Sequence, residues 1–146
     1  MRIALALLLA LTVTGATPAP AAPPASDEAV RRAVSDYVGL YRRETLERWR
    51  ALFLPGFTAA HVGDDGVVRQ RTLEEFYQAQ KRYFDTGKSI REDLENVRVE
   101  RHGALASVWA DFVLTEDREK SRGRLVLLLI EDHGVFRIHS LMFQYR

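Results

Sequence analysis

The chain has no cysteine. That excludes disulfides, thiolate metal sites, a cysteine nucleophile and lipid attachment through an N-terminal cysteine. It also lacks an excess of either charge, with 21 Lys and Arg against 20 Asp and Glu. A nucleic-acid partner, which would need a basic stripe, is therefore not expected. No apolar run reaches the roughly 20 residues of a membrane span. There is no Gly-rich phosphate loop and no Gly-x-Ser-x-Gly elbow. His61, His102, His133 and His139 show no paired ligand spacing on one element, and His102 and His133 fall in expected turns. Neither a metal nor a cofactor is expected.

What is present begins with MRIALALLLALTVTGA, one basic residue before a short apolar core and then small residues. This is the pattern of a secretory signal peptide, placed at residues 1–21 with cleavage after Ala16 or Ala21. Four of the five prolines (Pro18, Pro20, Pro23, Pro24) cluster around its end. Residues 22–25 read as an extended tether, and residues 26–146 as one folded domain. The expected destination is the periplasm or the exterior, without membrane attachment after cleavage.

Within the domain, Ser26 can cap a helix in which Val30, Ala33, Val34, Tyr37 and Tyr41 recur at helical spacing to about Arg43. Gly39 inside it suggests close approach by another element. Thr45 can open a second helix carrying Leu46, Trp49 and Phe53, stopped by Pro55-Gly56. Phe57 to Val62 and Val67 to Arg71 read as a hairpin about Asp64-Asp65-Gly66. Thr72 and Glu75 have capping-box spacing and start a third helix with Leu73, Phe76, Tyr77, Gln80 and Phe84 on one face.

From Ser89 onward, long strands alternate with short turns at His102-Gly103, Glu116 to Glu119 and Asp132 to Gly134. The apolar parity shifts from Ile90 and Leu94 to Val97 and Val99, which requires a bulge near Glu95 or Asn96 that curls the sheet. Ala104, Ala106, Val108, Ala110, Phe112 and Leu114 form a core face, opposite Leu105, Ser107, Trp109, Asp111 and Val113. Leu125 to Ile130 is apolar throughout, as in a strand covered on both sides. Helices can cover only one side, so a second copy of the chain is expected on the other.

Element order, the Ala51-Leu52-Phe53 run before the first strand, the capped third helix and Gly134-Val135-Phe136-Arg137-Ile138 together resemble the nuclear transport factor 2-like superfamily. That superfamily includes SnoaL-like polyketide cyclases and ketosteroid isomerases, and the likeness runs from about Asp27 to Tyr145. It implies an α+β cone, three N-terminal helices packed on a curved antiparallel sheet, with a cavity at the open end. In the isomerase branch the catalytic base is an Asp at the eighth residue after a similar run, and His61 holds that place here. A Tyr on the first helix serves that branch's oxyanion hole, a setting matched by Tyr37. The third partner of that branch, an Asp on the strand before the last, is absent, since Val126 or Leu127 stands near its place. Isomerase activity is accordingly not carried over.

The expected function is binding of a small, largely apolar molecule in a pocket lined by Tyr37, Tyr41, Trp49, Phe53, His61, Phe76 and Phe84. The alternative is a proton-transfer enzyme, since an imidazole such as His61 exchanges protons near neutrality and a Tyr can donate a hydrogen bond. Asp111 joins that set if its face lines the cavity, where a carboxylate beside Trp109 would have a raised pKa. If the face points outward, Asp111 and Trp109 belong to a dimer contact or a solvated rim. The third reading is a homodimerisation or interaction module.

Overall fold

A computed structural model describes residues 27–146. The expected leader, tether and Ser26 cap lie outside the described residues. Helix α1 spans Asp27–Gly39 and buries Val30, Ala33, Val34 and Tyr37, while Asp27 and Glu28 occupy its electropositive first turn. It stops at Gly39 rather than Arg43. Among the described residues nothing lies within 4 Å of a Cβ placed on Gly39, so this glycine marks the helix end and not a close crossing. A single 3-10 turn, Arg43–Thr45, leads into α2, Leu46–Arg50.

The second helix is thus shorter than expected, and Phe53 stands on a strand, β1, Phe53–Val62. Distant residues cause the difference. The last strand, β6, Val135–Tyr145, takes up the carbonyls that would otherwise extend the helix. The Ile138 amide donates to the Leu52 carbonyl at 2.9 Å, and the Arg137 guanidinium donates to the carbonyls of Ala51 (3.1 Å) and Phe53 (3.0 Å). Pro55 and Gly56 fall within β1, in the register shift between Phe53 and Thr58. A proline there, lacking an N–H, costs no ladder hydrogen bond.

Strand β2, Val68–Thr72, returns against β1 and leads into α3, Leu73–Asp85. The capping box forms: Thr72 Oγ1 accepts from the Glu75 amide, and Glu75 Oε2 accepts from the Thr72 amide at 2.8 Å. Strands β3 (Ile90–His102), β4 (Leu105–Glu116) and β5 (Glu119–Asp132) follow. The six strands lie in the order β2-β1-β6-β5-β4-β3. All neighbours are antiparallel except β1 and β6, which run parallel. The bulge on β3 falls where parity required it, with a register shift between Glu95 and Arg98 and Asn96 at φ 54°.

One face of this sheet is roofed by the helices. Ala106, Val108, Ala110, Phe112 and Leu114 of β4 and Leu125, Leu127 and Leu129 of β5 are buried there with the helix stripes. Fully burying each large side chain contributes about 1.5–3 kcal/mol, which makes this face the main source of stability. Phe112 stands opposite Gly123, where an added Cβ would come within 2.3 Å of the ring. The bare backbone of Gly123 makes room for Phe112. The other face is open: Trp109 is 48% exposed, Met142 47% and Leu128 39%. Leu125 to Ile130 is therefore not covered on both sides within one copy of the chain. Among the described residues, no helix is long and apolar enough to cross a membrane.

Candidate functional site

Between the helices and the sheet's inner face lies a cavity of about 330 Å³. The stripe of α1 brings Tyr37 to it, the following turn Tyr41, and the one-turn α2 Trp49. Phe76, Gln80 and Tyr83 enter from α3, because positions four and then three apart share a helix face. On the sheet side, β1 contributes His61, β2 Arg71, β3 Glu92, and β6 Leu141 and Phe143. The rings of Trp49 and Tyr41 lie 5.1 Å apart, those of Trp49 and Tyr37 5.7 Å, and those of Trp49 and Phe76 5.7 Å. Such interlocked rings form a stiff wall. The Tyr41 hydroxyl is spent on Gln80, donating to its Oε1 at 2.5 Å.

Three polar atoms of the lining residues are buried without a hydrogen-bond partner among the described residues: Trp49 Nε1, Tyr83 Oη and Glu92 Oε1. Each unsatisfied buried group costs about 1–3 kcal/mol, so three around one space is a costly arrangement. One is a pure donor, one is a carboxylate acceptor, and the tyrosine hydroxyl can do either.

The cavity's charges are divided between its two ends. At the β3 and β4 end, burial pushes the Glu92 carboxyl up to about 7, partly opposed by the nearby Tyr37 hydroxyl, which favours its ionised form. Burial, with the nearby Glu92 charge, raises both Tyr37 and Tyr41 well above the ordinary phenol range, so both stay neutral donors. Glu116, also at this end, is paired with Lys88 at 2.8 Å. At the β1 and β2 end, His61 stacks on Phe143 with ring centroids 5.0 Å apart. Burial, Arg71 and Arg69 all lower its pKa, which keeps the imidazole neutral around pH 7.

Of the residues singled out from sequence, Tyr37, Tyr41, Trp49, His61 and Phe76 line this one cavity. Phe53 and Phe84 do not. Phe53 lies behind Trp49 at 4.6 Å, and Phe84 packs edge-on to Tyr41 at 5.0 Å, so both support the wall from the core. Asp111 is on the opposite face of the sheet, bound to Asn96 (2.9 Å), Arg124 (3.2 Å) and Arg146 (2.9 Å), and so is no candidate acid or base for this cavity. Those partners hold its carboxyl below the usual range, the Asn96 bond most of all. Glu92 was missed. Its signal was its parity, since it sits between Ile90 and Leu94 with the spacing of two that puts all three on one face. Among the described residues, no three His, Cys, Asp or Glu converge as metal ligands.

The sequence matches a family described as a SnoaL-like domain over residues 30–143. No curated protein matches it. Solved structures share its fold at low identity. A nuclear transport factor 2-like protein of unknown function from Shewanella baltica is 14% identical, with a TM-score of 0.63, covering 82% of this chain and 93% of that one. A putative scytalone dehydratase from Novosphingobium aromaticivorans is 12% identical, with a TM-score of 0.66 and coverage of 82% and 83%. The beta subunit of a putative aromatic-ring-hydroxylating dioxygenase from the same organism is 16% identical, with a TM-score of 0.64 and coverage of 81% and 87%. These likenesses establish the α+β cone of the nuclear transport factor 2-like fold.

Proposed function

We propose, from the premise that this chain belongs to the SnoaL-like domain family, that its cavity binds a small molecule with an apolar body and a few hydrogen-bonding groups. The observation that carries this reading is the trio of unpartnered atoms, Trp49 Nε1, Tyr83 Oη and Glu92 Oε1, on residues around one aromatic space. These atoms carry almost no accessible surface, so a ligand offering an acceptor to the indole and a donor to the carboxylate would satisfy them by shifting the side chains beside them. The test is a thermal-shift screen of aromatic and alicyclic metabolites against the domain. A bound hit should lose its stabilisation in Trp49→Phe, which keeps an aromatic ring and removes the donor. No hit, together with a crystal structure showing a filled cavity, would sink the reading.

A second reading, proton transfer, is favoured by Glu92. A carboxyl that titrates at about 7 in a cavity shared with a neutral imidazole offers both a base and an acid at physiological pH. Ketones with acidic α-hydrogens would then exchange them with solvent. The check is NMR of a bound ketone in heavy water, where exchange above the buffer rate should fall in both Glu92→Gln and His61→Ala. Exchange at the buffer rate in the unaltered protein excludes the reading.

The open sheet face supports a second copy as partner. Trp109, Val126 and Met142 align across β4, β5 and β6 as an apolar row. Sedimentation should give a dimer, and Trp109→Lys a monomer that keeps its fold. The leader expected at residues 1–21 adds that the ligand is met after export, which N-terminal sequencing of the mature chain tests.

A further inference from the structure

Arg71 is the charge in the cavity wall that nothing among the described residues answers. It stands opposite Ala59 in the β1 and β2 register, and Ala59 is buried on the inner face, so Arg71 shares that face and lines the cavity. Among the described residues it makes no ion pair or side-chain hydrogen bond. Its neighbour Arg69 is taken by Asp65 at 2.6 Å. Glu75 feels the Arg71 charge, but its carboxylate is held by the amide and hydroxyl of Thr72.

The other charged groups on the cavity do not answer Arg71. Glu116 has Lys88. His61 is held uncharged by burial and by the two arginines. Glu92 lies at the far end, on β3, and burial keeps about half of it protonated near pH 7. A guanidinium half-removed from water beside aromatic walls favours a counter-charge that arrives with an apolar body, because a small hydrated anion gains nothing from those walls.

We infer that the ligand of this cavity is an organic acid, whose ring or chain fills the aromatic space and whose carboxylate meets the Arg71 guanidinium at the β2 end. This rests on the cavity being a ligand site. It further assigns the ligand's orientation, with the acid toward β2 and its body along Trp49 and Phe143.

The experiment is calorimetric titration of the protein with matched acid and ketone pairs, hydrocinnamate with benzylacetone and biphenylcarboxylate with acetylbiphenyl. The methyl ketone copies the shape of the carboxylate without its charge. In at least one pair the acid should bind about tenfold or more tightly than the ketone, as a charge-assisted hydrogen bond implies. That ratio should fall toward one in Arg71→Met, which keeps most of the stem, and should shrink with added salt in the unaltered protein. A ratio near one in the unaltered protein, or a ratio unchanged by Arg71→Met, overturns the inference while ketone binding leaves the cavity reading standing. If no member of either pair binds, the inference is overturned, and the cavity reading stands or falls by the thermal-shift screen and crystal structure.

Discussion

Glu92 and Asp111 are carboxylates on adjacent strands of one sheet, β3 and β4, and they lead opposite chemical lives. Glu92 faces the helices, where burial lifts its pKa to about 7. Asp111 faces outward, where Asn96, Arg124 and Arg146 lower its pKa. Trp109, two residues before Asp111, shares its outward face and is nearly half exposed. The same functional group thus titrates near neutrality or stays ionised at the surface according to which side of a pleat it occupies. Strand parity, more than residue type, decides which acids in such a cone can do chemistry.

The largest expected effect breaks the contrast at its buried member. The folded value of Glu92, about 7, lies above the ordinary 4.5. Between those two values the unfolded chain has released a proton that the fold retains. Stability therefore falls as pH rises through this window, by on the order of 3 kcal/mol in all. Glu92→Gln should abolish that fall, so urea unfolding from pH 4.5 to 8 should show the variant gaining steadily on the parent protein. Parallel curves would refute the burial of this carboxyl.

A middle-sized effect sharpens the difference between a filled inner face and an open outer one. Gly123→Ala pushes a methyl into Phe112 and should cost about 1–3 kcal/mol in unfolding free energy. Phe112→Leu in the same chain should recover only the share due to the ring, since the added methyl also meets the Gln144 carbonyl oxygen at 2.3 Å. Additive losses in the double variant would place the strain wholly at the Gln144 carbonyl. The smallest effect is expected at Asp111→Asn. With a lowered folded pKa, Asp111 contributes above its ordinary 3.8, and that contribution disappears as pH falls through the folded value. Asp111→Asn should therefore lose a little stability at neutral pH, less than Gly123→Ala, and match the parent protein in strong acid.

Local chemistry made much of the fold legible. Thr72 and Glu75 announce a capping box that forms, and the parity change between Leu94 and Val97 puts the bulge near Glu95 or Asn96, where the register shifts. His61 and the aromatic stripe reach a common cavity because helix and strand periods set their faces. The sequence misled where distant partners decide. Phe53 continues a helical spacing, yet β6 and Arg137 capture the carbonyls around it and turn it into strand. The parallel pairing of β1 with β6 leaves no local trace either. Glu92 and Arg71 were legible in principle, since each keeps an inward register. A charged residue in an amphipathic strand is ordinarily read as solvent-facing, which hides them.

Strand β6, the last of the six in chain order, lies inside the sheet between β1 and β5. As the chain is made, β1 and β2 emerge early but find only each other. The three later strands β3, β4 and β5 can form a meander of their own. The two halves meet only when β6 arrives to join them, and β6 also supplies Leu141 and Phe143 to the cavity. The cavity is thus one of the last features to assemble, and a nascent chain that lacks β6 has two unsealed strand edges in place of a binding site.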